Sequence, residues 1–150
     1  MKKVLITLFA LLTAAALPAY ADRGELKQVF GDYEVHYIGL NSSFLTADVA
    51  QAYGIPRSRS MGFLNISILK KTGEADVTES VTGKVTGTMQ NLIGQKKTLE
   101  FTEIKESDAV YYISTFRFEQ AETYKIALKV TPDGETRTFD VKFDQRFYEN

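Results

Sequence analysis

The chain has one histidine, His36, placed two residues after Glu34 and four after Asp32. On an extended strand, positions i, i+2 and i+4 point the same way, so the three side chains would share a face. Carboxylate and imidazole are donors that Zn²⁺ and Cu²⁺ accept, which makes Asp32, Glu34 and His36 a candidate metal set. Same-face neighbours on a strand are roughly 6.6 Å apart. Three such donors close on one ion only with a bulge or a ligand from a neighbouring strand. The simpler expectation is an outward polar face with cross-strand partners, and metal handling through His36 is the alternative.

Two further stretches could make contacts. Asn41 to Ser60 is a long connection that ends in Arg57-Ser58-Arg59-Ser60. Long structured loops on rigid scaffolds often carry binding, and Arg57 and Arg59 could receive a carboxylate, an anionic lipid or a glycan group. In Asn91-Leu92-Ile93-Gly94-Gln95, Leu92 and Ile93 are apolar residues inside turn chemistry. They either tuck inward as a plug, the expected arrangement, or stand out as a contact patch. Catalytic signatures are sparse. There is no cysteine, no Gly-x-Ser-x-Gly elbow and no glycine-rich phosphate loop. A small hydrolase would need the fold to bring a serine and an acid to His36. No enzymatic activity and no cofactor is therefore expected.

The elements that must position these residues are strands. Tyr33-Val35-Tyr37, Leu64-Ile66-Ile68, Leu99-Phe101, Val110 to Phe116, Tyr124 to Val130, and Phe139-Val141-Phe143 alternate with period two, and Val81, Val85 and Met89 share a face with Gly83 and Gly87. Such alternation with aromatic and β-branched side chains marks half-buried strands. Turn chemistry separates them at Thr72-Gly73, Asn91 to Gly94, Glu106 to Asp108, and Pro132-Asp133-Gly134. About seven such strands predict an all-β protein, an immunoglobulin-like antiparallel sandwich. Gly83 and Gly87, inside a strand pattern, point to a bulge or a close backbone approach. Thr46 to Tyr53 breaks the rhythm. Thr46 suits an N-cap, Asp48 the first turn, and Gly54 a stop with Ile55 packing back. One short helix is predicted in the first long connection, covering one end of the sandwich.

The first 21 residues read as a cleaved signal peptide. Lys2 and Lys3 precede the apolar run Val4–Leu17, Pro18 breaks it, and Ala19-Tyr20-Ala21 supplies the small residues of a cleavage site after Ala21. The run is about 14 residues, against roughly 20 for a bilayer span. No membrane span is expected after cleavage. Residues 22–150 then form a single domain. It folds without cysteines, so reducing agent should leave it untouched. With no basic stripe, nucleic acid is not an expected partner. A protein partner in the periplasm is.

Phe30-Gly31-Asp32-Tyr33-Glu34-Val35-His36-Tyr37, Asn41-Ser42-Ser43-Phe44-Leu45, Ala52-Tyr53-Gly54-Ile55 with Arg57-Ser58, Leu64-Asn65-Ile66-Ser67, Asn91 to Gln95 and Phe143 to Tyr148 occur in that order. Together they resemble a domain-of-unknown-function family of small exported proteins of Gram-negative bacteria. The resemblance implies a periplasmic single-domain protein and brings no established activity or site residues. The expectation is a periplasmic, non-enzymatic binding or accessory module.

Overall fold

The computed structural model describes residues 26–149; the expected signal peptide and its cleavage site lie outside them. Ten strands form two antiparallel sheets. In the first sheet, β1 (Leu26–Phe30), β2 (Tyr33–Asn41), β3 (Met61–Lys71), β8 (Ala109–Arg117) and β7 (Thr102–Glu106) lie in that order, and short β4 (Thr78–Ser80) pairs with the end of β3. In the second, the order is β10 (Phe139–Arg146), β9 (Thr123–Pro132), β5 (Gly83–Asn91) and β6 (Lys96–Leu99). The sandwich predicted from alternation is present, with ten strands in place of seven. Leu99 and Phe101 do not share a strand. The chain passes from β6 in one sheet to β7 in the other across Glu100 and Phe101.

The alternating side chains meet between the sheets. Val35, Leu64, Ile66 and Ile68 from the first sheet pack against Met89, Ile126, Leu128, Val130 and Val141 from the second. Aromatic rings close one open seam, where Phe30 stacks on Phe139 at 4.6 Å and Tyr37 on Phe143 at 4.2 Å. Phe147, 3% exposed, plugs one end against Phe116 and Phe118. The glycines of β5 mark close approach. A Cβ on Gly83 would lie 2.7 Å from the Thr131 carbonyl oxygen and one on Gly87 would lie 2.9 Å from that of Ala127.

The helix α1 (Ala47–Tyr53) follows a short 3-10 turn at Ser42–Phe44. Its ends are fixed locally. The Thr46 hydroxyl accepts from the Val49 amide at 3.3 Å, and Gly54 ends it at φ 66. The Ile55 amide then donates to the Ala50 carbonyl at 2.8 Å. The helix connection does not cover an end of the sandwich. Ile55, with Leu45 and Tyr53, packs on Phe63, Ile104, Tyr111 and Ile113, a second apolar cluster on the outer face of the first sheet. The reason lies in β8, whose Tyr111 and Ile113 give it an apolar outer face as well as an inner one. A polar clamp holds the connection down. The buried Asn41 amide donates to the carbonyls of Arg59 (2.6 Å) and Tyr148 (2.9 Å), and Ser42 exchanges hydrogen bonds with the backbone of Ser58.

Candidate functional site

The rest of that outer face is open. β1, β2 and the end of β3 floor a cleft of about 890 Å³, and the β3–β4 loop, Thr72 to Val77, forms its wall. Lys27, Asp32, Glu34, His36, Leu69 and Lys71 also line it. The wall is an ordered turn. The Thr72 amide and hydroxyl both donate to the Val77 carbonyl, at 3.1 and 3.2 Å, and Gly73 and Asp76 supply left-handed φ values of 94 and 59.

Glu34 and His36 meet at the floor. His36 Nε2 is 2.7 Å from Glu34 Oε2, and the two side chains are 14% and 13% exposed. Their backbones point the same way on β2, and the side chains close the remaining gap by leaning toward each other. Lys27 on β1 reaches the same carboxylate at 3.5 Å. The hydrogen bond with His36 holds the Glu34 carboxyl below its ordinary value. Partial burial opposes this and the Lys27 charge assists it. A carboxylate and an imidazole are thus held side by side with the anionic form favoured.

Asp32 is not on the strand with them. It lies in the β1–β2 turn beside Gly31 (φ 61), and its carbonyl accepts from the Lys71 amide at 2.8 Å. It lines the cleft from the end, as Glu74 and Asp76 do from the loop. Among the described residues no three His, Asp or Glu side chains are grouped to hold a metal ion. The predicted set therefore reduces to a pair with acids around it. The cross-strand partner expected of an outward polar face is also there, as Lys27.

Arg57 and Arg59 do not line this cleft. Both are exposed. They precede Met61 at the start of β3, whereas His36 pairs with Ser67 six residues further along, a separation of roughly 20 Å. The Arg57 guanidinium donates to the Ser43 carbonyl at 3.3 Å. Leu92 and Ile93 do not form a plug. They are 69% and 79% exposed, because the Asn91 side chain binds both the amide and the side chain of Gln95, each at 2.8 Å, and ties the turn shut beneath them. Two contributors went unread in the sequence. Lys27 lies in a strand without alternation, and Phe44, 66% exposed, is an isolated apolar residue in a short turn.

Among solved structures, the chain is similar to a DUF4426 family protein from Pseudomonas aeruginosa PAO1, with 35% identity, a TM-score of 0.72, and coverage of 85% of this chain and 97% of that one. It shares its fold with a copper-bound variant of FetP from uropathogenic Escherichia coli strain F11 (17% identity, TM-score 0.60, 84% and 96% covered). It shares it also with a copper-bound variant of Campylobacter jejuni P19 (12% identity, TM-score 0.54, 83% and 96% covered). No curated protein matches. The sequence profile of DUF4426, a domain of unknown function, matches residues 27–150, and the chain belongs to that family.

Proposed function

We propose that this protein is an exported, non-enzymatic binding module that handles a divalent transition-metal ion, Cu²⁺ first, in the cleft over β1, β2 and β3. The observation that carries the reading is the Glu34–His36 contact. An imidazole nitrogen and a carboxylate oxygen stand 2.7 Å apart at the floor of an open cleft, and N,O donor pairs suit Cu²⁺. Glu34 and His36 would hold the ion. Asp32, Glu74 and Asp76 line the same cleft and add negative field around it. A pair of protein donors leaves further positions to water or to a second ligand, which suits capture and release better than permanent storage.

Two points support this assignment. Two proteins of the same fold are copper-bound. The leader, with cleavage expected after Ala21, would direct the chain to the periplasm of a Gram-negative cell.

Calorimetric titration of Cu²⁺ and Zn²⁺ into tag-free protein, His36→Ala and Glu34→Gln tests the proposal. The unaltered protein is expected to bind one Cu²⁺, and each variant to bind at least about tenfold more weakly. Equal binding by all three proteins, or none by any, contradicts it.

A further inference from the structure

The end of the sandwich away from the cleft carries the three most exposed large apolar side chains among the described residues, Ile93, Leu92 and Phe44, together with the half-exposed Tyr148. The ladders place them together. Gln145, Tyr124 and Asn91 form one rung across β10, β9 and β5, so Asn91 is roughly 10 Å from Gln145. Leu92 and Ile93 project beyond that rung. Gln145, Phe44 and Tyr148 line one shallow groove of about 200 Å³, and the Tyr148 carbonyl is anchored by Asn41. Hydrogen bonds within Asn91 to Gln95 hold the apolar tip outward. A loose loop could fold such side chains inward, but this turn cannot.

Charge says what covers this end. Four cations belong to this end: Arg57 donates to the Ser43 carbonyl, Arg146 lines the groove with Phe44 and Tyr148, the Arg59 carbonyl is held by Asn41, and Lys96 pairs with Gln90 beside the Asn91 turn. Among the described residues none of them is in an ion pair. The lysines and arginine paired with acids, Lys27, Lys105, Lys129 and Arg137, belong to other parts of the molecule. Arg146 instead lies over the Tyr148 ring at 5.4 Å. The acids of this end are Asp144, on β10 two residues before Arg146, and Glu119, Glu122 and Glu149 in the β8–β9 loop and the C-terminal segment, where Arg146 also donates to the Ala121 carbonyl at 2.8 Å. One carboxylate oxygen of Glu122 is turned inward. Protruding aliphatic and aromatic side chains flanked by cations match the chemistry of a lipid interface, and free cations match anionic headgroups.

We propose that this end docks on an anionic lipid surface. Phe44, Leu92, Ile93 and Tyr148 enter the interface, and Arg57, Arg59, Lys96 and Arg146 meet headgroup phosphates. The inference does not depend on the metal reading. Docked this way, the Glu34–His36 cleft faces water.

The chain has no tryptophan, so Ile93→Trp gives a single fluorescent reporter at the tip. With vesicles containing phosphatidylglycerol, its emission shifts to the blue and is quenched by bilayer-embedded quenchers. With pure phosphatidylcholine vesicles, or at high salt, both effects shrink. In co-sedimentation, Leu92→Asp with Phe44→Asp, and separately Arg57→Gln with Arg59→Gln, bind phosphatidylglycerol vesicles at least about tenfold more weakly than the unaltered protein, at unchanged melting temperature. The proposal is overturned if unaltered protein stays in the supernatant with phosphatidylglycerol vesicles at low salt, the result a purely protein-binding surface gives. It is equally overturned if the two double variants sediment as well as the parent.

Discussion

The outer face of the first sheet has two halves built by the same strands. In one, Leu40 of β2, Phe63 of β3 and Ile113 of β8 present apolar side chains, and the connection through α1 lies on them. In the other, β2 presents Glu34 and His36 and β3 presents Leu69, and the face stays open as the cleft. Asn65 stands on β3 between Phe63 and Ser67, with its Oδ1 buried and without a hydrogen-bond partner among the described residues. What decides whether a stretch of strand is covered is its outward residues. Where both faces are apolar the chain must bury the outer one, and where the outer one is polar the chain leaves it to solvent or ligand.

This contrast can be broken from either side. Phe63→Ala, in the covered half, should cost about 3 kcal/mol, read as a shift in urea midpoint at unchanged slope. A loss under about 1 kcal/mol would mean that the α1 connection only rests on the sheet. Thr46→Ala removes the helix cap and should cost about 1 kcal/mol in the same measurement. Asn65→Val extends the apolar half by one residue and removes a buried oxygen without a partner, so it should be neutral or stabilising by up to about 1 kcal/mol. A clear destabilisation would show that this oxygen has a partner in solution.

The open half should respond to pH and not to truncation. The Glu34 carboxyl is held below its ordinary value in the folded state. Its contribution is therefore fully present above the ordinary carboxylate range and is lost as pH falls through the depressed value. Glu34→Gln should lower stability at neutral pH and flatten the acid limb of a stability–pH profile, the two proteins converging as pH falls through the depressed value. Identical profiles for the two proteins would show that the His36 hydrogen bond is not populated.

What the sequence revealed and what it concealed differ in range. Thr46, Gly54 and Ile55 specify the helix through contacts within a few residues, and β2, β3, β5, β8, β9 and β10 announce themselves because one or both of their faces are buried. β1, β4 and β7 are short edge or polar strands. Lys27-Gln28 and Thr78-Glu79-Ser80 carry no alternation, and pairing with β2 and β3 makes them strands. The Glu34–His36 pair was readable from spacing. The cleft was not, because its wall comes from a loop more than thirty residues later. Asp32 falls off the strand because Gly31, at φ 61, turns the chain immediately before it. Leu92 and Ile93 were expected inside because apolarity favours burial, and the Asn91–Gln95 hydrogen bonds that hold them out come from residues that look like ordinary turn formers.

The most direct test of the central claim uses the fact that the chain has a single histidine. With one equivalent of Cu²⁺ bound to tag-free protein, any imidazole nitrogen coupled to the copper must belong to His36. Electron spin echo spectroscopy is expected to show the modulation of one copper-bound imidazole, and His36→Ala to abolish it. Copper bound without imidazole modulation, or with a spectrum identical in His36→Ala, would contradict the account.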